Sequence, residues 1–579
     1  MKEMVTANRS RRAKRLGLAL AIALTGTMVS STTTHARAPQ KSKSGGEITV
    51  AIDGSIAGFC FSTAMAGGAL GSARSIYESL VERSSSGKFV PYLAESFTPS
   101  ADYKVWDIAL RSGIKYSNGE AFDATNVKQN IELSRGNMLA TGWNSKFAST
   151  GVGVNANILT IDVVDSLHVK ITLDRGDTQF LGLLYRAGRY VMRAPAQIAD
   201  PANCQTNPIG TGPFMKSSYT PDELVVVRNP NYWRKDKAGV QLPYLDKITF
   251  VNVKEASQRA AAVRKKTVDV GFFTVGDATF VKDLAQRKSV VTEYKGLQNQ
   301  WGQWMPNVNK VGSPFKYQNC RLAAAFAIDW NLYNKVRLKG LGLVTGSLVG
   351  KTNPMYTKAG AAVYNVAKAK DFVTKCNTDL GAAGPFKVTL YADSSSQSQN
   401  NVKFVATMLK DAGVLVNDLY IAESAVLISK IYNTAKGSND FDFAEGTPAE
   451  GESVGYVIPF FLSKAFPSDA KSLVAGQLYG KVLNTVIALG NHGDSQVDNL
   501  IYAAQAETNP TLAKTKWAAA TAYLQSQGYA IPSVSSGNYV FTNNKSKLMG
   551  VGKLLNPDGK TYPNIAETKG LDFTGIYKG

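Results

Sequence analysis

The sequence predicts an α/β protein built on mixed β-sheets. Segments with the alternating apolar and polar pattern of strands are interspersed with segments of helical periodicity, and no fixed repeat length separates them. The 579 residues are 44% apolar, which is enough to bury a large core. After the first thirty residues no apolar run reaches the roughly 18 residues that span a bilayer, so a multispanning membrane protein is excluded.

Strand patterns are clearest in the first half of the chain. Residues 48–52 alternate between larger apolar side chains and smaller or polar ones, which predicts a first strand. Residues 158–164 and 167–173 predict two more strands joined by a two-residue turn. The apolar residues of the last segment share one face, so we expect His168 on the opposite face, in solvent.

Helical patterns are clearest in the second half. Residues 402–409 carry apolar side chains at helical spacing. Asn509 and Pro510 combine an N-cap residue with a first-turn proline and predict the start of another helix. Asp329 is suited to cap a helix predicted over 330–339.

The amino-terminal segment has the order of a secretory signal. A basic head precedes the apolar stretch 16–29, and a polar segment then leads to Ala36, a small residue suited to cleavage. We therefore expect a signal peptide over 1–36, a flexible leader over 37–46 and a periplasmic or other extracytoplasmic location. No cysteine precedes Cys60, so we do not expect a lipoprotein.

The net charge of +21 does not indicate a nucleic-acid-binding protein. Removal of the predicted signal peptide removes six bases and one acid and lowers the charge to +16, and an exported protein meets little nucleic acid. Export makes disulfide bonds available, and the four cysteines allow three pairings. No two cysteines have the CxxC spacing of a zinc ribbon or a redox site.

The sequence offers little to support an enzyme. It contains neither GxSxG nor HExxH, and only His168 and His492 follow the predicted signal peptide. A histidine-based triad or a zinc site is therefore poorly supplied, and we expect no cofactor. A secreted hydrolase that uses two carboxylates stays open as an alternative, because such pairs leave no spacing signature.

Four groups of segments together resemble the extracytoplasmic solute-binding proteins of ABC importers, in the oligopeptide, dipeptide and nickel-binding family (family 5). They occur in the family's order over about residues 46–545. The segments are Tyr77–Val81 with Phe89–Phe97, then Trp106–Lys128, then Pro208–Phe214 with Val227–Trp233 and Tyr244–Ile248, and finally Ser313–Phe315 with Arg321–Asp329.

The resemblance implies a periplasmic-binding-protein-like fold with two lobes joined by a hinge that close on a solute. Lobe I comprises 46–271 and 532–579 and includes a subdomain over about 84–205, and lobe II comprises 272–531. The implied partners are a small molecule or peptide and a membrane permease, and we expect a monomer that performs no chemistry. A sensor protein on the same scaffold is a further alternative. By lobe, the resemblance implies the disulfide pairs Cys60–Cys204 and Cys320–Cys376.

Family positions also imply residues that contact the solute. The loop after the first strand lines the cleft, and aromatic side chains offer stacking faces. We expect Trp301→Ala and Trp304→Ala to weaken binding and leave folding intact. The implied contacts are Phe59, Cys60, Phe61, Trp301, Trp304 and Tyr456, with Phe460 beside them.

An acidic segment is the candidate anchor for a cationic group of the solute. Peptide-binding members hold the peptide's amine with an Asp that follows a Trp; here the Trp is missing and the position falls near Ala449, so Glu450 is the nearest carboxylate. Glu445 and Glu452 are also suited to charge-assisted hydrogen bonds. The alternative is a solvated acidic loop. We expect a peptide first, with sugars and metal chelates as alternatives, and no bare metal ion.

Overall fold

Three β-sheets, here called sheets A, B and C, organise the fold. The computed structural model describes residues 43–56, 58–60, 69–83, 88–135, 158–185, 188–296, 302–308, 310–350, 353, 356–431, 441–446, 461, 494–535, 537–557, 561–563 and 571–579. The predicted signal peptide and most of the predicted leader lie outside these residues.

The described residues contain both strands and helices, interspersed along the chain as the sequence predicts. The strands are β1 (Glu47–Ile52), β2 (Val81–Arg83), β3 (Phe89–Pro91), β4 (Ala94–Pro99), β5 (Val105–Leu110), β6 (Ile158–Asp165), β7 (His168–Leu173), β8 (Phe214–Tyr219), β9 (Glu223–Arg228), β10 (Lys247–Asn252), β11 (Val270–Thr274), β12 (Val291–Lys295), β13 (Gln303–Pro306), β14 (Leu343–Val344), β15 (Lys387–Asp393), β16 (Leu415–Ala422), β17 (Phe443–Gly446), β18 (Ile531–Pro532), β19 (Val534–Ser535), β20 (Asn538–Asn543), β21 (Leu548–Met549), β22 (Lys553–Leu555), β23 (Thr561–Pro563) and β24 (Tyr577–Lys578). The α-helices are α1 (Ala69–Ala73), α2 (Ala124–Arg135), α3 (Phe180–Tyr185), α4 (Pro195–Ala199), α5 (Ala256–Lys265), α6 (Ala278–Gln286), α7 (Gln318–Ala327), α8 (Trp330–Val336), α9 (Val366–Leu380), α10 (Ser396–Asp411), α11 (Ser424–Ile431), α12 (Ser495–Gln505) and α13 (Pro510–Ser526).

Sheet A is a mixed sheet of seven strands in the order β12-β20-β11-β1-β10-β9-β8. Strand β1 lies parallel to both β10 and β11, and β20 lies antiparallel to β11 and β12. The sheet thus combines the first strand with a strand near the end of the chain, as the resemblance implies for lobe I. Strand β12 also belongs to this sheet, although it lies beyond the predicted boundary at residue 271.

Sheet B is a mixed sheet of five strands in the order β16-β15-β17-β13-β18. Strand β15 is parallel to β16 and β17, whereas β13 is antiparallel to β17 and β18. Helices α7, α9 and α10 contribute buried side chains to the core on one face of this sheet, together with Leu390 and Phe443. Helix α13 leads into the edge strand β18, and Gln525 near its end hydrogen-bonds the Leu348 N–H at 2.9 Å.

The chain passes from sheet A to sheet B after β12 and returns after β18, and the described ends of the two crossing segments are hydrogen-bonded to each other. The Ser533 N–H donates to the Gly302 carbonyl and the Gly296 N–H to the Asn538 carbonyl, each at 2.8 Å. A Cβ atom on Gly302 would lie 2.0 Å from the Val534 carbonyl oxygen, so only glycine permits this close approach.

Sheet C is an antiparallel sheet of four strands in the order β4-β5-β7-β6, within the region predicted as a subdomain. The alternating apolar residues of β5 and β7 are buried on one face, as predicted. His168 lies on the other face, where it is partly exposed and its Nδ1 is 2.8 Å from the Asp165 carboxylate. The two predicted strands of this hairpin are therefore confirmed.

The two predicted helix starts and the helical segment predicted over 402–409 are also confirmed. Asn509 caps α13 by accepting hydrogen bonds from the backbone N–H groups of the first turn, and Asp329 caps α8 in the same way. The apolar stripe of α10 is buried. Helix α8 ends at Val336, three residues before the predicted end, and Lys339 and Gly340 follow with positive φ angles.

Two disulfide bonds join segments that are distant along the chain. Cys60 pairs with Cys204, with the Cα atoms 5.0 Å apart, and Cys320 pairs with Cys376, with the Cα atoms 4.8 Å apart. These are the two pairs that the family resemblance implies. The second bond fastens α7 to α9 beneath sheet B, and all four sulfur-bearing residues are buried.

Candidate functional site

The carboxyl ends of the parallel strands of sheets A and B face each other. Lys254, just after β10 of sheet A, places its Nζ 3.2 Å from both carboxylate oxygens of Glu423, just after β16 of sheet B. The same Nζ lies 3.3 Å from Ser394 Oγ, directly after β15. In open α/β sheets, ligands bind outside the carboxyl ends of the strands. We call the region between these two opposed ends the carboxyl-edge site.

Glu445 is the carboxylate that the structure leaves unpartnered in this site. It lies near the carboxyl end of β17, opposite Trp304 of β13 in the sheet register. Its side chain is exposed, and it makes no hydrogen bond or ion pair with any residue that the structure describes. An accessible carboxylate without a partner at the carboxyl end of a sheet is suited to accept hydrogen bonds from a cationic ligand group.

The surroundings of Glu445 make it a recessed group rather than an outer-surface one. Desolvation by the surrounding protein, followed by the negative charge of Asp393 at the end of β15, raises the pKa of Glu445 to about 7. An exposed surface and a strong desolvation appear contradictory, but both hold for a side chain that lines a recess, which water enters while protein surrounds it.

Phe59 and Cys60 lie in the loop after β1, at the sheet A side of the site. Phe59 is fully buried, and its ring packs edge-on against Tyr219 with the centroids 5.2 Å apart. Cys60 is held in its disulfide bond with Cys204. Neither side chain presents surface to a ligand in this conformation, and their role as contacts stays a prediction.

Trp304 lies in β13 of sheet B and is 1% exposed. Its ring packs against Phe443 with the centroids 4.9 Å apart, inside the core shared with α7 and α10. Its indole Nε1 has no hydrogen-bond partner among the described residues. The structure brings Trp304 and Glu445 onto neighbouring strands, but it places the Trp304 ring in the core of sheet B.

This burial changes the result expected for Trp304→Ala. Loss of a fully buried tryptophan leaves a cavity, so we expect the free energy of unfolding to fall by about 3–5 kcal/mol, measured by urea denaturation. Trp304→Phe keeps an aromatic ring in the core and serves as the milder control. Unchanged stability of the alanine variant together with weaker ligand binding would restore the original expectation of a contact residue.

The remaining predicted contacts lie outside the described residues. They are Phe61, Trp301, Glu450, Glu452, Tyr456 and Phe460. Glu445 is thus the member of the predicted acidic set whose surroundings the structure describes. The sequence could indicate Glu445 in one way. It follows Phe443 by two residues in the same strand, so the two side chains lie on one face, and a carboxylate takes the place of the next apolar residue.

A second carboxylate, Glu78, lies at the centre of a buried polar network beside sheet A. It accepts hydrogen bonds from Tyr232 Oη and Trp233 Nε1, both at 2.9 Å, and from Thr211 Oγ1 at 3.0 Å. Burial raises the pKa of Glu78 to about 7 in spite of these donors and the nearby Arg234 guanidinium. The network joins three segments of the family resemblance around one buried group.

A polar cavity adjoins this network. Its walls include the buried ion pair of Arg74 and Glu82 as well as Asp572, from the last described segment of the chain. The Asp572 carboxylate accepts hydrogen bonds from the backbone N–H groups of Leu555 and Thr574. These contacts hold the carboxyl-terminal segment against the scaffold and give the cavity a structural role.

Neither a metal centre nor a membrane span is present among the described residues. No three His, Cys, Asp or Glu side chains in the ranges given above are grouped so as to hold a metal ion. Within those ranges no helix is both long and apolar enough to cross a membrane.

Opposed carboxyl ends of two sheets are a place where small-molecule ligands commonly bind. The chain belongs to the bacterial extracellular solute-binding proteins, family 5, because the model described as the middle region of that family matches residues 88–465. It is accordingly the solute-binding component of an ABC importer. Proteins of this family are periplasmic. The expectation of a binding protein without enzymatic activity is confirmed, and the hydrolase alternative receives no support.

Curated relatives agree with this family. The chain is 31% identical over 366 residues to the nickel-binding periplasmic protein of Escherichia coli K12, covering 61% of this chain and 67% of that protein. It is 25% identical over 349 residues to the glutathione-binding protein GsiB of Salmonella paratyphi A, covering 59% of this chain and 63% of the relative. The aligned part thus spans somewhat less than two thirds of the glutathione-binding relative.

Solved structures of the same fold extend over nearly the whole chain. The binding protein AgaA of A. tumefacien R10, in complex with agropinic acid, has a TM-score of 0.73 at 20% identity and covers 92% of this chain and 99% of its own. DppA of Helicobacter pylori, in complex with the peptide STSA, has a TM-score of 0.72 at 18% identity, covering 90% and 98%. These similarities confirm the predicted class of fold.

Proposed function

We propose that this protein captures a small organic solute with a cationic group, a short peptide in the first place, at the carboxyl-edge site and delivers it to a membrane permease. The protein works as a monomer outside the cytoplasmic membrane, after removal of its signal peptide. The observation that carries the proposal is Glu445, an accessible carboxylate near the carboxyl end of β17 that has no partner among the described residues.

A peptide's free amine suits this carboxylate because an ammonium group offers three N–H donors and a full positive charge. The negative charge of Asp393 nearby adds to the attraction. Two comparisons point in the same direction, since one curated relative is named as glutathione-binding and one solved neighbour holds a peptide.

The paired crossing segments between sheets A and B support a hinge. Each segment is short, and the described ends are joined by the hydrogen bonds at Gly302 and Gly296. A rotation about two adjacent segments moves the sheets as rigid bodies and opens or closes the carboxyl-edge site. In this proposal lobe I contains sheets A and C and lobe II contains sheet B, with the first boundary after β12.

Native mass spectrometry of the protein purified from its own host tests the proposal directly, because a retained solute gives its mass. A fluorescence titration with short peptides, sugars and metal chelates follows, since several tryptophans are available to report closure. We expect a retained mass that matches a short peptide, and saturable binding of peptides with a free amino terminus. A retained sugar or a preference for anionic solutes would overturn the proposal.

A further inference from the structure

Sheet C also contacts the helices beside sheet B, and buried apolar side chains of both belong to one cluster among the described residues. The loop 174–178, between β7 and α3, contacts helix α12. The Arg175 guanidinium lies over the Tyr502 ring, 4.3 Å from its centroid, and the Thr178 N–H donates to the Gln505 carbonyl at 3.3 Å. We call these contacts the latch.

We propose that the latch holds the two lobes closed. The inference rests on the proposed function only in taking sheets C and B to belong to lobes that move relative to each other. It assigns Arg175 and Tyr502 as positioning residues for closure, and it assigns no ligand contact to them.

The loop side of the latch is rigid. Gly176 packs on the backbone of sheet C, where a Cβ atom would lie 2.2 Å from the Asp102 carbonyl oxygen. The Asp177 N–H donates to the Tyr103 carbonyl at 3.2 Å, and the Asp177 carboxylate accepts from the Gln179 N–H at 2.8 Å. The loop therefore presents Arg175 and Thr178 in fixed positions on sheet C.

The helix side is equally well held. Asp494 caps α12 by accepting from the Gln496 N–H at 3.0 Å, and its carboxylate also accepts from Tyr523 Oη at 3.1 Å and from Tyr529 Oη at 3.3 Å. These bonds fix α12 to α13, which leads into sheet B. Two rigid surfaces meet at the latch, so their contact transmits the relative position of the lobes.

The chemistry of the latch suits a contact that forms and breaks. The Gln505 carbonyl lies in the last turn of α12, where carbonyl groups lack intrahelical partners and the helix dipole favours a cation such as Arg175. These terms, with the cation–π contact, favour closure.

Desolvation of polar side chains at the latch opposes closure. Buried side-chain atoms of Asp174, Arg175, Thr178 and Gln505 lack hydrogen-bond partners among the described residues, and all four regain water when the lobes separate. Arg175 Nε comes only within 3.5 Å of the Asp174 carboxylate. Opposing terms of this kind give a reversible contact rather than a permanent one.

The test measures lobe separation in the protein without any solute. Cysteines introduced at Val164 in sheet C and Leu512 in α13, both exposed positions, carry spin labels, and double electron–electron resonance gives the open and closed populations. The four native cysteines are held in disulfide bonds, so the introduced ones react selectively. The variants compared are Arg175→Gln, Tyr502→Leu and Tyr502→Phe.

We expect Arg175→Gln and Tyr502→Leu each to raise the ratio of open to closed protein about tenfold, which corresponds to about 1.4 kcal/mol. Tyr502→Phe keeps the ring but removes the hydroxyl that interacts with Arg175, so we expect its ratio to lie between the wild type and Tyr502→Leu. The double variant Arg175→Gln/Tyr502→Leu exceeds either single variant only slightly, because both remove one interaction. Lys375→Gln, which removes a cation over Phe372 within α9, is the matched control and leaves the ratio unchanged.

Distance distributions of Arg175→Gln and Tyr502→Leu that superimpose on the wild type would overturn the inference. Far-UV circular dichroism and the urea midpoint show whether each variant is folded. If only Tyr502→Leu raised the open population, and its urea midpoint also fell, the effect would be due to helix packing and the inference would be overturned. Because no solute is present, the result does not depend on whether the protein binds peptides.

Discussion

Glu445→Gln is expected to weaken the binding of a peptide with a free amino terminus about thirtyfold at pH 7.5, which corresponds to about 2 kcal/mol. The amide keeps the volume of the side chain but removes the charge that the ammonium group requires. Fluorescence titration with trialanine measures the affinity. Glu423→Gln is the matched control, because Glu423 lies at the same sheet edges but is already paired with Lys254; we expect little change there.

The pH dependence of binding gives the same prediction a second readout. Because the pKa of Glu445 is raised to about 7, the free protein holds this group largely protonated at pH 5.5, and binding an ammonium group there requires loss of the proton. Wild-type affinity is therefore expected to rise with pH, by at most tenfold per unit, between pH 5 and pH 7. Glu445→Gln abolishes that rise, and a rise of the same size in the variant would contradict the assignment.

Glu78→Leu is expected to lower the free energy of unfolding by about 3–5 kcal/mol. The substitution leaves the hydroxyl groups of Tyr232 and Thr211 and the indole N–H of Trp233 without their acceptor in a buried site. Urea denaturation measures the loss. Glu223→Leu, at an exposed strand position, is the control and changes stability little; a loss for Glu78→Leu no larger than that of the control would show that the network does not stabilise the fold.

Glu78→Gln separates the charge from the hydrogen bonds. The pKa of Glu78 is about 7 in the folded protein, above the usual value of 4.5. Between these values the unfolded chain loses its proton and the folded protein keeps it, so this group makes stability fall as pH rises from about 4.5 to 7. We expect Glu78→Gln to lose less stability than the leucine variant and to show a shallower fall over that range. An unchanged pH dependence would contradict the raised pKa.

Local patterns predicted the elements of the fold well. The apolar stripe of α10, the caps at Asp329 and Asn509, and the hairpin of β6 and β7 all follow from residues close together in the chain. The end of α8 was predicted three residues too late. A glycine stop signal permits a helix to end earlier, and a positive φ at Lys339 already departs from the helix.

The candidate site was predictable in its chemistry and only partly in its residues. The sequence indicated an acidic segment and named Glu445 within it, but it could not show that this carboxylate lacks a partner, since partners come from other strands. Trp304 was predicted as a contact from its position in the family, where an aromatic ring offers a stacking face to the ligand. The same apolar ring also suits a core, and the packing of Phe443 from a distant strand decided between the two.

The sequence by itself determined the class of fold and the resemblance to a family of solute-binding proteins. Periodicity, helix caps and family segments are patterns of residues that lie close together in the chain. Only the tertiary structure decided which of three cysteine pairings forms, that Glu78 collects donors from three segments, and that Arg175 meets Tyr502. The physical reason is that burial, desolvation and ion pairing depend on groups brought together from far apart in the chain, and no local pattern specifies them.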